Sequence, residues 1–143
     1  MSTYFIDYEG FHLNGETIIK ELCIMDANNM LNPRHYIFKP IIPWSLLNDN
    51  ARIMYLYQND IDWDEGSELF CPKCIVTNNN AIFYTLDDKF DVLQKNFPTL
   101  RLIRYNIKDL PEIPYNISCP YKDHGKHCAF KNCIAMCTNY CQC

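Results

Sequence analysis

The chain has 143 residues, 48% hydrophobic and 14% aromatic, a composition that suits one domain with its own core and excludes a disordered tail or linker. Its formal net charge of −4 excludes a broad electrostatic grip on a nucleic-acid backbone, which needs many Lys and Arg contacts. Nine cysteines, an odd count, and acids among the first residues in place of a basic, apolar leader predict an intracellular protein, in cytoplasm or nucleus. There the thiols are free or bind metal, and no apolar run is long enough for a membrane.

Residues 1–143 read as a single domain. Residues 3 to 8 and 17 to 25 alternate as strands, and the Asn14-Gly15 turn signal joins them into an antiparallel hairpin. Residues 35 to 40 give a short third strand ended by Pro40. Residues 43 to 58 carry apolar positions near helical spacing, with Asn48 or Asn50 as cap, and a loop follows over 59 to 66. Residues 67 to 76 suggest a short helix disturbed by Pro72, and residues 81 to 86 form a strand. That strand runs into a helix over 87 to 97 with an acidic first turn, which suits the helix dipole. Another strand over 100 to 105, a proline-rich crossing loop over 110 to 116 and a last helix over 127 to 141 complete the chain. Three antiparallel strands, then alternating helix and strand, predict an α/β fold: a mixed sheet with flanking helices. Trp44 and Trp63 read as packing residues.

Alternation places Asp7 and Glu9 on one side of the first strand, together with Phe5. Two close carboxylates are tolerated where they meet water or where cations neutralise them, and Mg²⁺ or Mn²⁺ is one such neutraliser. Asp87, Asp88 and Asp91 stand where a strand gives way to a helix, the end of an α/β sheet at which sites form, although helix capping also accounts for two of them. Cys119, His124 and Cys128, with His127 and Cys133 nearby, offer the soft donors that zinc selects, and Glu21 on the second strand can supply a fourth. Cys71 and Cys74 form a lone CxxC, read as core or reactive thiols, with a thiol redox role as the remote alternative. Cys133, Cys137 and Cys141 recur every four residues as one helix face. Arg101, Arg104 and Lys108 are the best basic patch, and their ordinary reading is solvated surface.

The element order resembles the ribonuclease H-like fold of the DEDDh exonucleases, and over nearly the whole chain it is similar to the Maelstrom domain, a divergent member of that fold. "FIDYEG" resembles the first exonuclease motif, which implies Asp7 and Glu9 as metal ligands, and "FYTLDDKFDVL" resembles the second, with Asp88 or Asp91 as its acid. "HCAFKN" resembles the third, with His127 as general base but Asn132 where the last carboxylate belongs. The Maelstrom resemblance implies a Glu-Cys-His-Cys zinc knot of Glu21, Cys119, His124 and Cys128. The family's histidine position falls on Lys122 here, so His124 takes its place and His127 is the fallback. Small insect proteins associated with mobile elements or viruses are similar as well.

These resemblances imply a zinc-stabilised domain that binds or weakly cleaves nucleic acid, with single-stranded RNA or DNA as partner and Mg²⁺ or Mn²⁺ as second cofactor. The alternative is a non-catalytic module that meets a protein partner from an RNA-silencing, antiviral or mobile-element setting.

Overall fold

Two long strands open the chain, β1 (Ser2–Leu13) and β2 (Glu16–Asp26). Asn14 (φ 52°) and Gly15 (φ 81°) both have positive φ, the backbone that a two-residue hairpin needs to match the twist of its strands. The computed structural model describes residues 2–75, 80–106, 117–122, 124 and 127–141. The expected proline-rich loop, Lys108 and residue 76 lie outside them.

β3 (Asn29–Ile37) begins earlier than the sequence pattern suggests and stops before Pro40. Its interior Pro33 is tolerated because β3 lies at the edge of the sheet, where no neighbour needs the missing N–H. A single parallel bridge from Phe38 to Glu68 prolongs that edge. β4 (Ala81–Leu86) and β5 (Arg101–Tyr105) run parallel to β1, giving the order β3-β2-β1-β4-β5 in which β2 alone points the other way.

The stretch expected to be one helix over 43 to 58 is a 3-10 turn (Trp44–Leu46) followed by α1 (Asp49–Gln58). Asn48 divides them, because its side chain accepts from the Ala51 N–H and caps α1. Pro72 does not disturb a helix. It starts the single turn α2 (Pro72–Ile75), where its missing N–H is not needed. After β4 a 3-10 turn (Asp87–Lys89) leads into α3 (Phe90–Asn96), and α4 (Ala129–Cys141) ends the fold.

The two faces of the sheet bury different sets. Ile6, Leu22, Ile24 and Phe83 pack toward Leu93 of α3. Phe5, Cys23 and Met25 pack under α4, against Cys133, Ile134 and Cys137. Of the cysteine stripe, Cys133 and Cys137 are core and Cys141 is exposed; Cys133 Sγ lies 3.5 Å from the Cys23 carbonyl and 3.7 Å from that of Phe5. A third cluster closes the far end of β1, where Phe11, Trp63 and Tyr55 meet edge to face.

β1 and β2 slip register between Glu9 and Gly10, so that Glu9 faces Glu21 while Gly10 faces Ile19. Lys20 is the extra residue, and its ammonium donates to the carbonyls of Phe38, Trp63 and Glu65, which ties that loop to the sheet. Gly10 is required by close approach, since a Cβ there would stand 2.2 Å from the Ile18 carbonyl oxygen. Gly10→Ala is expected to cost about 2–3 kcal/mol in urea denaturation, because backbone rather than a flexible side chain must move.

Candidate metal centre

The α4 face of the sheet carries two polar clusters, and both begin with strand alternation. Glu21, Cys23 and Met25 share that face on β2, as do Phe5, Asp7 and Glu9 on β1. Burying Glu21 and Asp7 completely among them is costly unless each finds partners.

Glu21 finds them on every side. Its Oε1 accepts from the Ala129 N–H at 2.8 Å, so the carboxylate caps the first turn of α4, where the helix dipole favours an anion. Its Oε2 lies 3.1 Å from His124 Nε2, 2.6 Å from His35 Nε2 and 3.7 Å from Cys119 Sγ. Glu21, Cys119, His124 and Cys128 are all buried, with one donor atom from each within 4.8 Å of the others. The structure thus brings together the four residues that the sequence nominated as metal ligands.

The donor set fits a metal. Two sulfurs, an imidazole and a carboxylate are what zinc takes, and bond lengths of about 2.0–2.3 Å imply donor separations of roughly 3.3–3.8 Å around a tetrahedron. The contacts between Glu21 Oε2 and its neighbours lie close to that range. The hydrogen bond from Cys128, aided by His124 and His35, holds the Cys119 thiol far below its usual range, so one of the two sulfurs is an anion. Cys128 is pushed up as the proton-bearing partner. Burial opposes charge on the two histidines, yet Cys119 and Glu21 outweigh it and raise His124 to about 10 and His35 to about 9. Protons on the imidazoles thereby supply the positive charge that a metal would bring. His124 Nδ1 is buried without a partner among the described residues.

His35 was not found by sequence reading. It pairs with Cys23 across β2 and β3, diagonal to Glu21, so only the register brings it in. At 2.6 Å from Glu21 and 3.6 Å from Cys119 it orients both donors. His35→Phe is expected to weaken zinc binding roughly 10–100-fold in a chelator competition titration, the usual cost of losing an outer partner.

The second cluster contains Asp7 and Glu9. β4 pairs with β1 only as far as Phe5, so from Asp7 onward that flank of β1 is open, and the turn after β4 brings in Lys89. The Lys89 ammonium lies 3.3 Å from Asp7 Oδ1 and 3.5 Å from Glu9 Oε1, donates to the Tyr8 carbonyl and stands over the Tyr8 ring. From α4, Asn132 Nδ2 donates to Asp7 Oδ2 at 2.9 Å and to Glu9 Oε1 at 3.4 Å. A lysine and an amide, both donors, fill the space between the two acids.

Of the other exonuclease-like positions, Asp91 stands apart from the two acids, whereas Asp88 and His127 lie near Glu9. The Asp91 side chain is 90% exposed and pairs with Arg104, which also holds Asp87. Asp88 and His127 line an open cavity with Glu9 and Lys89, and the His127 backbone N–H reaches Asp60 at 3.3 Å. Cys71 and Cys74 sit on α2 and the residue before it, where a hydrogen bond from Cys74 lowers the Cys71 thiol. Comparison with protein-family models and with curated proteins gives no match.

Burial raises Asp7 to about 6 and Glu9 to about 7 against the pull of Lys89. Both folded values exceed the unfolded ones, so ionising these acids costs stability as pH rises through that interval, and Lys89 limits the cost. Lys89→Met is expected to destabilise by about 3–5 kcal/mol at pH 8. At pH 5, with both acids protonated, the loss relative to wild type shrinks; urea denaturation at the two pH values measures it.

Proposed function

We propose that this chain is a zinc-stabilised domain of the ribonuclease H-like class that works by binding a partner rather than by cutting a nucleic acid. The placement of the Lys89 ammonium between Asp7 and Glu9 carries the reading. Two-ion hydrolysis needs carboxylates free to take hard cations. Here a tethered cation already lies between them and offsets one of their two charges; displacing it means breaking a buried ion pair, worth several kcal/mol, while Mg²⁺ also gives up its hydration reluctantly. Asn132 fits the same economy, because an amide donates to the two carboxylates where a third acid would repel them.

The class is supported by the strand order, with three antiparallel strands leading into parallel ones, and by the buried Glu21, Cys119, His124 and Cys128 group. Zinc there would join β2 to the start of α4 and to the segment before it, and such sites supply on the order of 10 kcal/mol of apparent binding free energy in small peptides. A protein partner is favoured over RNA by charge. The net charge is −4, and Arg104 of the expected basic patch is engaged by Asp87, Asp91 and the Phe90 ring. The resemblance to Maelstrom domains and small insect proteins sets that partner in an RNA-silencing, antiviral or mobile-element context.

One observation favours a second reading, a weak Mn²⁺-dependent nuclease: Glu9, Asp88 and His127 share an open cavity. A swing of Lys89 out of its seat would free the acids beside it.

Protein purified without added metal is expected to carry about one zinc per chain, and chelation is expected to remove much of its helical circular dichroism. Labelled single-stranded RNA and DNA should remain intact with Mn²⁺. Cleavage that Asp7→Asn abolishes would establish the nuclease instead.

A further inference from the structure

α1 turns one face inward and leaves an equally apolar face outside. Ala51 and Tyr55 are buried against the end of β1, while Ile53, Leu56 and Tyr57, spaced i, i+3 and i+4, are 63%, 67% and 80% exposed. Leu46, in the 3-10 turn before the helix, is 75% exposed. Arg52 fastens that turn to α1 by donating to the Trp44 and Ser45 carbonyls. An apolar stripe of this kind, held on a fixed helix rather than scattered, is what a partner covers.

What covers it is set by the charge beside it. Leu56 also walls a cleft lined by Trp44 and Trp63 and edged by Asp60, Asp62 and Asp64. Ile61 and Trp63 are buried there, while the three aspartates around them are exposed. Falling within five residues of a turning segment and lining one cleft, they lie close enough for their potentials to add. None of the three has an ion-pair partner among the described residues; Asp60 accepts only the His127 backbone N–H. Of the nearby cations, Arg52 pairs with Asp49 and Lys122 with Glu65, while the buried Lys20 donates to three carbonyls and offsets part of the Asp64 charge.

We infer that the outer face of α1 and the adjoining aspartate-edged cleft form one docking surface for a basic amphipathic helix of a partner protein. Its leucine-like side chains cover Ile53, Leu56 and Tyr57, and its lysines or arginines meet Asp60, Asp62 and Asp64. This names the partner chemistry for the binding reading above and rests on it. A second copy of this chain is a poorer occupant, because a symmetric contact through this face would bring two acidic edges toward each other.

The test uses the zinc-loaded 143-residue chain and a fluorescein-labelled synthetic helix of leucine and lysine, followed by anisotropy. Saturable binding is expected, weakened roughly tenfold or more by Leu56→Asp and by Tyr57→Ser. Joint replacement of Asp60, Asp62 and Asp64 by Asn should weaken it similarly and flatten its salt dependence. Zinc content and thermal melts verify that each variant folds, and Tyr57→Ser stands in if Leu56→Asp does not. Equal binding of a leucine and glutamate helix, unchanged affinity in these variants, or a dimer in sedimentation that Leu56→Asp dissociates would overturn the inference. If the probe fails while Mn²⁺ cleavage is also absent, only the docking surface falls. Asp7-dependent cleavage removes the functional reading, whatever the probe does.

Discussion

One buried carboxylate organises the α4 side of this molecule. Glu21 has no solvent, and each of its oxygens is used: Oε1 closes the first turn of α4, and Oε2 faces His35, His124 and Cys119. Without those partners an ion in that place would cost several kcal/mol, so strand, helix start and the Cys119–Cys128 segment must come together or not at all. Zinc suits the same constraint, because it would replace the proton on the His124 imidazole with a fixed dication and take all four donors at once.

A second solution to the same problem lies one strand away. Asp7 is as buried as Glu21, but its counter-charge is internal, the Lys89 ammonium, and Asn132 donates to its other oxygen. The two clusters share α4 and differ in softness: thiolate and imidazole on one side, oxygen and ammonium on the other. That difference separates a place for a metal ion from a place where the chain supplies its own cation. It also gives α4 two polar anchors through an otherwise apolar face, which fix its position along the sheet more sharply than the Cys133 and Ile134 packing alone would.

At the other end of β1 the aromatic corner of Phe11, Tyr55 and Trp63 holds α1 by its inner face only. The ion pairs of Arg104 with Asp87 and Asp91 are exposed and worth at most about 1 kcal/mol, so they dress the surface without shaping it. The molecule therefore divides into a polar, constrained side under α4 and an apolar, uncovered side at α1.

Much of this was legible in the residues themselves. Asn14-Gly15 dictates the hairpin because both positions need positive φ, Asn48 caps α1 because its side chain reaches back to Ala51, and alternation alone puts Asp7 and Glu9 with Phe5. The zinc-type donors Cys119, His124 and Cys128 were readable from soft-ligand chemistry over a short span. Other features depend on pairing across distant segments. β3 begins at Asn29 because an edge strand tolerates Pro33, which no local pattern reveals. His35 enters through the β2–β3 register, and Lys89 meets Asp7 only because β4 ends where β1 continues. Sequence determined which chemistry each segment carries; tertiary structure decided which charges meet, because the free energy of a buried ion depends on neighbours that the chain brings from far away.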